Sequence, residues 1–462
     1  MTLPDFTIKR LFLVLGPALA LLTALAAQTQ GMSIEASATL AVTILCVVWW
    51  VFEPIPIPAT SLLPLGLLPL LGVLNQTQIA QAYGHPLVLL LLGGFILSTA
   101  MEKSGAHRRI ALTMVRAFGG TSSRRLVLGF MAAAATLSMW ISNTATTLML
   151  LPVALAVIQA SSDKHLVKPL LLGTAYAASL GGIGTPIGTP PNVIFMGIYN
   201  STTGQEISFL TWMGWGIPVV LIFLPVMGIW LTRNLTHAGH VELPPVGRWR
   251  NEEIRVLTIF VVTALLWVTR KEPFGGWSQL LHIQNANDAT VALLAVVSMF
   301  IVPNGNGGRL LDWDTANKIP WGMLILFGGG IAIAEGFIAS GLSTSIGNAL
   351  SGLANLHTLV MIFFVAISVT FMTEATSNTA TTSILMPILA AAALGAAIDP
   401  RLLMVPAAMS ASCAFMLPVA TAPNVIMFST GELSVKDMVR EGFALNIFGA
   451  AIISLCIFLL LS

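Results

Sequence analysis

Charged side chains are what this sequence has least of. Lys, Arg, Asp and Glu make up 9% of 462 residues, against about 25% in an ordinary soluble domain, so a water-soluble globule is excluded. Cysteine is nearly absent too. Cys46, Cys413 and Cys456 lie in apolar segments with no CxxC or Cys/His spacing, which excludes a disulfide framework or cysteine metal site and leaves small buried core residues. No HExxH helix, intramembrane Asp pair or Ser/His arrangement occurs: His85 and His107 flank one apolar span without such a pattern, and His165 sits in a basic turn. A membrane-embedded hydrolase is therefore not expected. The apolar runs do not alternate in ten-residue units, so a β-barrel is excluded as well. The net charge of +2 carries no information of its own.

What is there is apolar length. Hydrophobic residues form 56% of the chain, in runs long enough to span a bilayer. The fold class expected is an all-α polytopic membrane protein of about 11 transmembrane helices. The expected spans are 11–28, 36–52, 59–75, 86–102, a broken segment 126–160, 169–199, 208–232, 252–269, 287–303, 321–340, a second broken segment 358–396, 402–428 and 436–461. The first run, behind Lys9 and Arg10, resembles a signal peptide but at 17 residues is read as a retained helix. If each broken segment returns to the side it entered from, 18 of the 21 basic residues fall on one face and only Arg270, Lys271 and Arg401 on the other. By the positive-inside rule the N-terminus is cytoplasmic and the C-terminus outside. Segment 106–118, basic beside an apolar stripe, is expected to lie flat at the cytoplasmic surface.

The two halves repeat. SNTATT occurs at 142–147 and again at 377–382; LLGGFILSTAMEKSGA (91–106) aligns with LFGGGIAIAEGFIASGL (326–342), and IGTPPNVIF (187–195) with VATAPNVIMF (419–428). Three matching blocks in one order mean internal duplication. With the topology above, helix 86–102 ends inside and its partner 321–340 outside, the inverted arrangement of many secondary transporters. The expected units are an N-terminal helix (1–34), a first repeat (35–235), a cytoplasmic linker (236–251) and a second repeat (252–462).

The broken segments carry the chemistry. As one helix, 126–160 would run about 52 Å through a core about 30 Å thick; split at Ser142-Asn143-Thr144, its first arm reaches only about 24 Å. A re-entrant hairpin with its tip inside the membrane fits both lengths. The second segment has longer expected arms, 358–376 and 380–396. At such a tip the carbonyl end of one arm suits a hard cation such as Na⁺, and the capped N-terminus of the next suits a carboxylate. Gly184-Thr185-Pro186-Ile187-Gly188-Thr189-Pro190-Pro191-Asn192 and Ala420-Thr421-Ala422-Pro423-Asn424 should unwind 169–199 and 402–428 in mid-membrane. Small and polar residues also serve close helix packing, but two matched pairs in inverted copies point to a transport site. No Lys or Arg is adjacent in sequence to either turn or either break, so anion binding should require the cation. Glu374, beside the second turn, reads either as a proton carrier or as a group satisfied within its hairpin.

Two SNT motifs in inverted repeats, followed by GTPPN and ATAPN, resemble the divalent anion/sodium symporter family, the INDY-type dicarboxylate and citrate transporters. Trp50-Val51-Phe52-Glu53-Pro54-Ile55-Pro56, running into Leu63-Pro64, is similar to that family's early helix, and the resemblance spans roughly 35–462. It implies a homodimer in the bacterial inner membrane, an elevator-like movement, and Na⁺-coupled uptake of succinate, malate or fumarate, with no enzymatic activity and no nucleic-acid partner. Carried onto this chain, Asn143, Thr144, Ser377, Asn378 and Thr379 would contact substrate carboxylates, with Thr421 and Pro423 on the other side. One Na⁺ would use Ser138, Ser142, Asn143 and a carbonyl near Gly188. The second would use Thr373, Asn378 and carbonyls near Thr376 and Ala420. A proton-coupled or exchange-type dicarboxylate or citrate transporter would share these turns.

Overall fold

The structure, a computed structural model, describes residues 3–118, 122–161, 163–235, 247–349 and 356–461. Of the linker expected over 236–251, residues 236–246 lie outside them. Among the described residues the chain is helical throughout, with one isolated bridge between Pro303 and Arg309 and no strand. Eight helices are long and apolar enough to cross a membrane, and four shorter apolar helices accompany them. Leu3–Thr29 packs on Ile34–Phe52, where the Trp49 indole donates to the Phe12 carbonyl at 3.1 Å.

Segment 59–75 is not one span. Ile57–Thr60 is followed by a turn and then Leu63–Leu70, with Pro64 in its first turn and Pro69 next to its end, since a proline lacks the N–H that a continuing helix needs. Ala106–Phe118 is a helix, as its periodicity requires.

The broken segments fold alike. The first hairpin has arms Ser123–Ser138 and Asn143–Ala160; the second has Thr358–Thr373 and Asn378–Gly395. Each pair is 16 then 18 residues, so the longer second hairpin expected from sequence is corrected. Its first arm stops at Thr373 because Glu374 turns its carboxylate across to another element, while the Thr376 hydroxyl bonds back to the Met372 carbonyl at 2.9 Å. The first broken helix runs Val167–Gly181, unwinds, and resumes at Pro190–Thr203; the second runs Arg401–Ser410 and resumes at Ala422–Phe428.

Glycine sets how closely these pieces approach. A Cβ at Gly181 would overlap the backbone carbonyl of Ala135 on the first hairpin, and one at Gly188 would meet the Gly182 carbonyl at 2.5 Å and the Ser138 carbonyl at 3.0 Å. The unwound stretch thus lies directly on the hairpin's carbonyl end.

Candidate functional site

Both SNT turns and both unwound stretches line one cavity of about 570 Å³. Ser142, Asn143, Thr144, Ser377, Asn378 and Thr379 come from the two tips, and Gly188, Ala420, Thr421 and Pro423 from the two breaks. Phe95, Pro320 and Met323 close the cavity from the side of Pro86–Ser104 and Trp321–Ala339. Residues 142 and 377, far apart in the chain, are thereby brought together. Ser138, Thr373 and Thr376 are not on the wall; they stand behind it.

Helix N-termini converge here. Asn143–Ala160, Asn378–Gly395 and Pro190–Thr203 all begin at the cavity, as does the short Ala422–Phe428. Each longer helix presents roughly half a positive charge and unpaired N–H groups at that end. An anion is favoured here without any basic side chain at the tips. Ser142 caps its helix, accepting from the Ala145 N–H at 3.2 Å, and Thr421 accepts from the Asn424 N–H at 3.3 Å. Ser377 makes no side-chain cap, so its hydroxyl is left for another partner.

The two tips share one internal device. The Ser138 hydroxyl donates to Asn143 Oδ1, and the Thr373 hydroxyl donates to Asn378 Oδ1 at 2.7 Å. With its oxygen fixed from behind, each carboxamide keeps its N–H₂ free of protein partners among the described residues. The Asn143 and Asn378 carbonyls are taken by the hydroxyls of Thr147 and Thr382, at 2.8 and 2.7 Å. Behind the first tip, a Cβ on Gly182 would stand 3.0 Å from both Asn143 Oδ1 and the Gly188 carbonyl. Hydroxyl, amide and carbonyl oxygens gathered this way are the ligand chemistry of a hard monovalent or divalent cation. At the second tip the same Thr373 hydroxyl also lies 3.1 Å from the Ala411 carbonyl, bringing the hairpin against the broken helix.

Four residues acquire roles that their positions in sequence did not assign. Asn192 and Asn424, fully buried, each clasp a break: Asn192 Nδ2 donates to the carbonyls of Gly182 and Thr185 at 2.9 and 2.7 Å, and Asn424 Nδ2 to those of Ala414 and Leu417, both at 3.0 Å. Their signal is the shared PPN/APN ending. Glu374 accepts from the backbone N–H groups of Phe415, Met416 and Leu417 at 2.7, 2.8 and 2.9 Å and from Asn446 Nδ2 at 2.8 Å. These partners lie outside the hairpin, so the carboxylate ties the second tip to the second unwound stretch and to Val435–Leu461, which corrects the expectation of a group satisfied within its hairpin. Lys318 lines the cavity although it is distant in sequence from both SNT turns and both breaks.

A family model described as the sodium:sulfate symporter transmembrane region matches residues 8–461. The chain is 40% identical over 474 residues to the sodium-dependent dicarboxylate transporter SdcS of Staphylococcus saprophyticus, covering 97% of this chain and 90% of the relative. It is likewise 40% identical over 480 residues to SdcS of Staphylococcus aureus strain MRSA252, covering 98% and 92%. Among solved structures, the Alcanivorax borkumensis YdaH transporter superposes with a TM-score of 0.58 at 15% identity, over 82% of this chain and 86% of that one. Neisseria gonorrhoeae MtrF gives 0.58 at 14% over 82% of each; at such identities the likeness concerns fold alone. With its doubled tips facing one cavity and a family match along nearly its whole length, the chain belongs to the divalent anion/sodium symporter family.

Proposed function

We propose that this protein is a secondary transporter that carries C4-dicarboxylates of the succinate type into the cell together with Na⁺. The observation that carries this reading is the shared cavity, where helix N-termini and free carboxamide N–H₂ groups adjoin hydroxyl and carbonyl oxygens. One carboxylate of the substrate meets Asn143 and Thr144, the other Ser377, Asn378 and Thr379, with Thr421 and Pro423 beside them. One Na⁺ sits among Ser138, Ser142, Asn143 and Gly188, and a second among Thr373, Thr376, Asn378 and Ala420. The names of the two Staphylococcus relatives support both the ion and the substrate class.

Coupling follows from charge. A dianion drawn out of water is stabilised here by dipoles and by the co-bound cations, so neither species is held well alone. Alternating access is an elevator-type displacement of hairpins and broken helices against Pro86–Ser104 and Trp321–Ala339, within a homodimer in the plasma membrane. Lys318 lines the cavity, and it belongs to the Lys/Arg-rich set that the positive-inside rule assigns to the cytoplasmic side. A proton-coupled or exchange-type transporter of the same fold is the alternative reading, and concentrative uptake with choline in place of Na⁺ would favour it.

The test is succinate uptake into liposomes holding the purified protein. An inward Na⁺ gradient should drive accumulation, choline should not replace Na⁺, and Asn143→Ala or Asn378→Ala should abolish uptake in a protein that still elutes as a folded species. Near-wild-type uptake by either variant would reject the site.

A further inference from the structure

We infer that Lys318 is an anion-binding residue at the Lys/Arg-rich mouth of the cavity, acting on the dicarboxylate as it arrives at or leaves that face. The inference rests on the dicarboxylate reading above. Among the described residues that line the cavity, Lys318 alone carries a formal charge. Its backbone is held in place on both sides: Ile319 is buried, Pro320 is itself part of the wall, and the Lys318 N–H donates to the Thr315 carbonyl at 3.2 Å. The side chain is exposed and, among the described residues, has no ion-pair partner. Several other basic side chains of the same Lys/Arg-rich set are held in ion pairs. Lys103 pairs with Asp312, Arg109 and Arg250 with Glu253, and Arg233 with Glu441. Glu102, on the wall of an adjoining cavity that Lys318 also lines, bonds Ser98 at 3.3 Å.

A single unpaired ammonium beside a wet opening attracts a dianion more strongly than a monoanion, over a distance set by salt. Because it lies at the mouth and not at the tips, it affects loading and release at one face of the membrane and leaves the bound cations untouched.

The experiment compares initial rates of Na⁺-driven succinate transport in right-side-out and inside-out membrane vesicles at saturating Na⁺. For Lys318→Gln, the half-saturating succinate concentration at the Lys/Arg-rich face should rise about three- to tenfold, with maximal rate and Na⁺ dependence within about twofold of wild type. Lys318→Arg should restore it, the opposite face should be unchanged, and 0.5 M choline chloride should erase the difference, about that concentration shrinking the screening length to a few ångström. An unchanged constant in Lys318→Gln, or an equal rise at both faces, overturns the assignment while leaving dicarboxylate transport standing. Wild-type vesicles without Na⁺-driven succinate transport would sink the underlying reading and this one with it.

Discussion

Each tip works through an asparagine whose oxygen is fixed and whose amide N–H₂ is not. The Ser138 and Thr373 hydroxyls, at the end of each first arm, fix those oxygens across the turn at the start of the second. Removing one hydroxyl loses a hydrogen bond worth about 1 kcal/mol together with a cation ligand of the proposed site. Thr373→Ala should therefore raise the Na⁺ concentration for half-maximal uptake about tenfold or somewhat less, with Thr373→Ser close to wild type. Sodium titrations of uptake check this; equal titration curves for Thr373→Ala and wild type would remove the residue from the cation site. The sequence showed a hydroxyl four residues ahead of each SNT, but not that it would bond the asparagine of the same turn. The clasping role of Asn192 and Asn424 was not legible either, because it depends on where an unwound backbone turns its carbonyls.

The two hairpins match arm for arm, and their SNT turns were readable because small polar residues inside an apolar run too long for one crossing leave few other foldings. Where proline is dense the same reasoning failed: 59–75 has the length of a span but not the uninterrupted N–H ladder. The equal second hairpin was hidden because nothing in the sequence marks Thr373 as the end of its first arm; the Glu374 carboxylate, bonded to the second unwound stretch, is seen only in the fold. Contact between hairpin and broken helix is set by glycine. Gly181→Val would drive a side chain into the Ala135 backbone, an overpacking worth about 1–3 kcal/mol or more. The detergent-solubilised protein should unfold at a clearly lower temperature, whereas Gly66→Ala, with open space around it, should be near neutral. Equal melting of the Gly181 variant and wild type would mean that this contact does not hold the two elements together.

Across the molecule, ion pairs join segments distant in sequence. Lys103 with Asp312, Lys168 with Asp437 and Arg233 with Glu441 tie one charged end, and Arg270 and Lys271 with Glu206 tie the other. Lys103, with the Thr315 N–H at 2.8 Å, holds the Asp312 carboxyl down at about 2. Burial of Glu206 opposes its ionisation, yet Lys271 and Arg270 keep it below the usual range. Since an unfolded carboxyl titrates near 4, the contribution of such a depressed group is present above about pH 4 and lost as pH falls through its folded value. Asp312→Asn should thus shift thermal stability by the same small amount at pH 6 and pH 8; a shift differing between the two would show that another group titrates with this pair. Sequence alone could not place Lys318 at the cavity, since only the folded chain brings the loop before Trp321–Ala339 to the tips.

The central claim is that dipoles and co-bound cations, not basic side chains at the tips, hold the dicarboxylate. It is tested most directly by equilibrium binding of labelled succinate to the purified protein in NaCl and in choline chloride at equal ionic strength. Saturable binding in NaCl that weakens about a hundredfold or more in choline, roughly 3 kcal/mol of coupling, is the predicted result. Equal affinity in the two salts would contradict it.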